Sequence, residues 1–183
     1  MKKFILALAA VLCLGLTACG QTQGNASTSG SAAEPIGKYT AVIDIADYGT
    51  ITLELDGDSA PLTVANFVKL AKDGFYDGLT FHRIMDGFMM QGGDPKGNGT
   101  GGSEETIPGE FSANGYDNPI SHTRGTISMA RASDPNSASS QFFICQADST
   151  FLDGNYAAFG HVTEGMDVVD AICADAQPTD DNG

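Results

Sequence analysis

The densest group of residues able to do chemistry lies in one run, Phe81-His82-Arg83-Ile84-Met85-Asp86-Gly87-Phe88-Met89-Met90-Gln91-Gly92-Gly93-Asp94. It sets an arginine and a glutamine among apolar side chains and tight glycine turns. If Phe81, Arg83 and Met85 share one strand face, the guanidinium is flanked by apolar groups. An arginine so placed serves either as a structural ion-pair partner or as a group that reads a ligand, and the pattern alone leaves both open. Other chemistries have weaker signals. No serine stands in a G-x-S-x-G turn, so a hydrolytic triad has no elbow. His82, His122 and His161 are too far apart for zinc-ligand spacing. His82 should face away from Arg83 and His122 should brace a loop, both structural roles. The Asp-Gly pairs at 56–57, 86–87 and 153–154 lack the calcium-loop spacing and read as β-turns. Asp94-Pro95 and Asp134-Pro135 start turns by the same logic.

The elements that must position these residues follow from periodicity. Val42, Ile43 and Ile45, then Asp47-Tyr48-Gly49, then Ile51, Leu53 and Leu55 alternating with polar residues, predict a β-hairpin with one buried face. Thr63 is a candidate cap for a helix with Val64, Phe67, Val68 and Ala71 on one stripe. Gly74 is placed to stop that helix in the left-handed region. A last helix from about Gly165 carries Met166, Val169 and Cys173. Between the helices are short β-type runs, Leu79–Ile84, Thr126–Met129, Gln141–Cys145 and Ala158–Val162, divided by Gly-rich stretches. Many short strands with two helices indicate an antiparallel barrel or sandwich.

The amino terminus carries a different signal. Lys2 and Lys3 precede an apolar run of 13 residues, Phe4 to Leu16, and then Thr17-Ala18-Cys19. The run is shorter than the roughly 20 residues of a membrane-spanning helix. A basic start, a short apolar stretch and a small residue before the cut make a secretory signal. The cysteine after Ala18 makes the segment resemble a bacterial lipoprotein signal, with Cys19 lipidated. The expected organisation is therefore a signal at 1–18, a lipidated cysteine and polar tether at 19–37, a folded domain at 38–174 and an acidic tail at 175–183. The expected location is the outer face of a bacterial membrane. The precursor's net charge is −14, and loss of Lys2 and Lys3 takes it to −16. That balance opposes a nucleic-acid partner and electrostatic docking on anionic lipid. Cys145 and Cys173 read as small buried hydrophobes, with a disulfide between them as the alternative.

The run at 81–94 resembles the signature of the cyclophilin family of peptidyl-prolyl isomerases. GTISMARA at 125–132, SQFFI at 140–144 and FLDGNYAAFGHV at 151–162 resemble its other blocks in order, and Asn98-Gly99-Thr100-Gly101-Gly102 resembles its Gly-rich loop. The likeness spans roughly residues 39–174. It implies an all-β fold, a closed eight-stranded antiparallel barrel capped by two helices. It implies Arg83 as catalytic arginine and Gln91 as the glutamine meeting the substrate backbone. Phe88, Met89, Phe143 and Leu152 would enclose the proline, with Ala130, Arg131 and Gln141 along the peptide groove. Phe151 takes a position that is Trp in many eukaryotic members, which implies weak cyclosporin binding. Tyr156 takes one that is often His. These departures resemble the bacterial branch.

Rotation about an X–Pro bond breaks no bond, so the implied reaction needs no metal, cofactor or nucleophile. Its barrier of about 20 kcal/mol comes from amide resonance. Two functions remain at this stage: a lipid-anchored monomeric isomerase acting on proline-containing peptide segments of exported proteins, and a non-catalytic lipoprotein that only holds such segments. Arg83 and Gln91 favour the first.

Overall fold

A computed structural model describes residues 37–179 and Gly183. The expected signal, Cys19 and nearly all of the tether fall outside these residues. Seven strands form one antiparallel sheet: β1 (Lys38–Ile45), β2 (Gly49–Asp56), β3 (Arg83–Met85), β4 (Met89–Gly92), β5 (Thr126–Met129), β6 (Phe142–Cys145) and β7 (Ala158–Glu164). Their order across the sheet is β1-β2-β7-β5-β6-β4-β3.

This corrects the expectation of a closed eight-stranded barrel. The sheet has seven strands and is not closed; β1 and β3 are its ends, and no ladder joins them among the described residues. The reason lies in β3. The run expected to form a strand from Leu79 begins pairing only at Arg83, and the strand is three residues long. Between β4 and β5 the chain makes a single bridge, Ile107 to Ala138. That stretch is rich in glycine and proline, which weaken ladders or cannot donate to them.

The hairpin forms as its alternation predicts. Ile43 stands opposite Ile51 and Ala41 opposite Leu53, and all four are buried. Asp47 takes the left-handed conformation in the turn. Helix α1 (Pro61–Lys72) buries Val64, Phe67, Val68 and Ala71. Thr63 is not its cap. The helix starts earlier, with Pro61 in the first turn, where a missing N–H is tolerated. The carboxylate of buried Glu110 does the capping from a distant loop. It accepts from the N–H groups of Leu62 (3.0 Å) and Thr63 (2.8 Å) and from the Thr63 hydroxyl (2.7 Å). A negative group there also complements the helix dipole. Gly74, at φ 71°, ends the helix as expected, with the Phe75 N–H returning to the Leu70 carbonyl at 3.0 Å. Helix α2 (Met166–Asp175) buries Val169, Ile172 and Cys173. Both helices pack into one core with Leu53, Leu55, Ile127, Phe142 and Phe159. Cys145 and Cys173 are buried free thiols, not a disulfide.

Candidate active site

The period of two along the strands separates this core from a second cluster on the other face of the sheet. On β4, Met90 enters the core while Met89 joins the second cluster. On β6, Phe142 and Ile144 enter the core, and Phe143 and Cys145 join the second cluster. Register then aligns the polar residues. Arg83 stands opposite Gln91, Gln91 opposite Phe143, and Phe143 opposite Ser128. One row across β3, β4, β6 and β5 thus carries the guanidinium, the amide and the aromatic ring. Phe81 is not on this face. It lies before β3 and packs edge-on to Phe142, 5.9 Å away in the core, so of Phe81, Arg83 and Met85 only the last two share a face.

Beside the row is a cavity of about 150 Å³, walled by Arg83, Phe88, Met89, Gln91, Ala130, Arg131, Phe143, Leu152 and Tyr156. These are nine of the residues that sequence reasoning placed at the site. Gln141 is joined to them through Gln91, whose amide N–H donates to its carbonyl at 2.8 Å. A neighbouring cavity of about 300 Å³ shares Gln91, Ala130 and Arg131 and extends past Gln141 to Thr100, Ser137 and Ser139. Phe151 stands outside the cavity wall. Its ring lies 5.6 Å from that of Phe88 and is 71% exposed. A void of about 30 Å³ beneath Phe81 belongs to the core face of the sheet and is separate from the site.

The Arg83 guanidinium donates to the Met85 sulfur at 3.1 Å and reaches the Gln91 carbonyl oxygen at 3.4 Å. Arg131 is held by its own surroundings. It donates to the Asn155 carbonyl at 2.9 Å and the Ala132 carbonyl at 2.8 Å, and lies over the rings of Phe111 and Tyr156. Its side chain therefore braces the Tyr156 loop.

Buried polar groups hold the loops around the site: His122 braces one, as expected, and the role of Asp94 was not read from the sequence. His122 is fully buried. Its Nδ1 pairs with Asp153 at 2.7 Å and its Nε2 with the Ser128 hydroxyl at 2.9 Å. A Ser–His–Asp order thus exists, but Ser128 is completely buried and no substrate atom can reach it. Burial pushes the His122 pKa down, against the pull of Asp153. Asp94, also buried, organises the Gly-rich loop by accepting the N–H groups of Lys96, Asn98 and Gly99. Burial raises its carboxyl, but these donors together hold it below the usual range. An Asp before a Gly-rich stretch was the available signal. His82 faces away from Arg83, lining a different cavity with Thr80 and Ile84, and both its ring nitrogens are buried without a hydrogen-bond partner. Among the described residues, no three His, Cys, Asp or Glu side chains gather as a metal site.

A family model, cyclophilin type peptidyl-prolyl cis-trans isomerase/CLD, matches residues 40–182. The chain belongs to the cyclophilin-type peptidyl-prolyl isomerase family. A peptidyl-prolyl cis-trans isomerase of Synechococcus elongatus is 53% identical over 116 residues, which cover 63% of this chain and 75% of that protein. One of Helicobacter pylori is 50% identical over 126 residues, covering 68% and 75%. Among solved structures, a Cryptosporidium parvum cyclophilin determined in the presence of the dipeptide Ala-Pro is similar at a TM-score of 0.66. It is 33% identical, with 74% of this chain and 85% of that chain covered. This cyclophilin is accordingly a peptidyl-prolyl isomerase.

Proposed function

We propose that this isomerase acts on proline-containing segments of exported proteins at the outer face of a bacterial membrane, and that Arg83 is its catalytic group. The observation that carries the catalytic part is the row Arg83–Gln91–Phe143 beside an apolar cavity of about 150 Å³. In the twisted amide the prolyl nitrogen becomes pyramidal and regains a lone pair. A guanidinium aimed at that nitrogen stabilises the twisted state and not the planar one, which is differential binding by a preorganised donor. Arginine suits the task because it stays charged and its donors are rigidly disposed. Phe88, Met89, Phe143 and Leu152 enclose the ring while the preceding carbonyl swings. Gln91, Gln141 and the backbone at Ala130 and Arg131 hold the flanking peptide.

The membrane part rests on the sequence of residues 1–19. Lipid on Cys19 holds the domain, and the polar stretch to Gly37 spaces it from the surface. No helix among the described residues is long and apolar enough to cross a membrane. The test of the catalytic part is an isomerisation assay on a short X–Pro peptide. Arg83→Ala activity equal to wild type would remove Arg83 from the mechanism.

A further inference from the structure

The two side-chain amides of the peptide groove take their direction from the Gly-rich loop. Gln141 Nε2 donates to the carbonyls of Gly99 at 3.1 Å and Gly101 at 2.6 Å. A carbonyl only accepts, so the NH₂ end of Gln141 must face the loop and its oxygen must face away. That oxygen accepts from Gln91 Nε2 at 2.8 Å. The Gln91 oxygen is thereby turned toward Arg83, whose Nη1 lies 3.4 Å from it. The reverse setting of Gln91 would put oxygen against oxygen and N–H against guanidinium. Gln91 lines both cavities of the site, and its nitrogen carries a second N–H.

The same loop is held from its other side by Asp94. The carboxylate accepts the N–H groups of Asn98 at 3.1 Å and Gly99 at 2.7 Å, and that of Gly101 as well. Gly99 and Gly101 thus each give an N–H to Asp94 and a carbonyl to Gln141. Asp94 is 1% exposed and lines neither cavity of the site, so it reaches a bound peptide only through the loop.

We infer that Asp94 is a positioning residue for the peptide groove. By fixing the Gly99 and Gly101 carbonyls it sets the direction of the Gln141 amide and, through it, that of Gln91, so that Gln91 presents an N–H to a carbonyl of the bound peptide. The order of the chain is Asp94, loop, Gln141, Gln91. Each link opposes a donor to an acceptor, and reversing any one of them leaves two like groups facing each other.

The inference rests on Gln91 holding the flanking peptide, and the experiment separates the two. For the full-length protein, kcat and KM are measured on an X–Pro peptide, and a denaturant midpoint establishes that each variant is folded. Asp94→Asn keeps the volume but turns an amide NH₂ toward the N–H groups of the loop. Gly101→Ala breaks the same link from the loop side, because an added Cβ would run into the Asp94 carboxylate. It carries the test where Asp94→Asn does not fold. Each should raise KM about three- to tenfold, the loss of one ordinary hydrogen bond, with kcat close to wild type. Gln91→Ala should raise KM by itself. Neither substitution should raise it further in that background, since residues that act through one another are not additive. A merely structural Asp94 would lower the midpoint and leave KM alone. Wild-type KM in folded Asp94→Asn and Gly101→Ala would overturn the inference even if Gln91→Ala is impaired. So would an equal rise with and without Gln91, or a loss confined to kcat. Wild-type KM in Gln91→Ala would instead overturn the reading of Gln91 on which the inference depends.

Discussion

His122 lies nearly parallel to Phe143, with ring centroids 6.0 Å apart and 17° between their planes. Phe143 forms part of the wall of the candidate proline cavity and also meets Tyr156 edge-on. The imidazole is itself held by Asp153 and Ser128. Asp153 also accepts from the Ser121 hydroxyl at 2.6 Å and the His122 N–H at 2.7 Å. The short turn carrying Phe151 and Leu152 is thus tied to the ring beneath the cavity.

This arrangement predicts a pH dependence of stability. Burial lowers the folded-state pKa of His122 below its ordinary 6.5. The unfolded chain therefore binds more protons in the window just below 6.5, and stability falls as pH drops through it. Asp153 adds a second window. Burial raises its carboxyl, but the donors from Ser121 and His122 hold it below 3.8, so its contribution is lost as pH falls from about 3.8. Urea unfolding at stepped pH should show midpoints declining from about pH 7 to about pH 5. His82 is also depressed by burial, so His122→Asn should make the slope shallower and not flat. A slope in His122→Asn equal to wild type would show that His122 does not contribute.

At the site, Arg83→Ala should lower kcat/KM by roughly 10²–10³, the loss of one preorganised donor. Arg83→Lys should also be impaired, since a flexible point charge does not replace a fixed fork. Phe143 is 5% exposed, so Phe143→Ala should destabilise the fold by about 3–5 kcal/mol and raise KM. Measuring kcat and KM alongside denaturant midpoints separates the two roles: a midpoint shift without any change in KM would make Phe143 purely structural.

Glu110 should matter to stability alone. It is 1% exposed and caps α1 from outside the helix. Glu110→Ala leaves the N–H groups of Leu62 and Thr63 without this partner, a cost of about 1–3 kcal/mol. The residue lines neither cavity of the site, so kcat/KM per folded molecule should stay at wild type. An unchanged unfolding midpoint would show that the cap is not energetically significant.

Much of this architecture was legible because local period reports burial. The hairpin and both helices each bury one recognisable set of residues, and the expected runs at 126–129 and 158–162 also lie in strands. Strand β4 was not, because Met89 and Met90 are apolar on both faces, one facing the cavity and the other the core. Closure was misjudged because it depends on whether β3 reaches β1, which no local pattern reports. The site's residue types came from motifs, but their alignment comes from register. Gln91 and Gln141 meet across 50 positions of chain. His122 and Asp153 meet across 31. His122 reads only as a loop brace and Asp153 only as a turn residue, and the fold makes them one support.

Phe151→Trp should strengthen cyclosporin binding while changing peptide isomerisation much less. Phe151 stands outside the cavity wall, 71% exposed beside Phe88, so a larger ring is accommodated without repacking. Trp also adds an indole N–H donor that Phe lacks. Titrating both proteins with the drug is the check, and equal affinities would place the determinant elsewhere in the groove.

The last prediction concerns Cys19. The mature protein should partition with membranes, and Cys19→Ser should abolish that. The 13-residue apolar run at Phe4–Leu16 cannot anchor the chain once it is cleaved. A mature charge of −16, from −14 less Lys2 and Lys3, offers no polybasic substitute. Anchoring then rests on acyl chains, each buried CH₂ contributing about 0.8 kcal/mol. Mass spectrometry of the mature amino terminus is the direct measurement. An unmodified Cys19, or cleavage at another bond with the protein free in the medium, would defeat the anchor and leave the isomerase site intact.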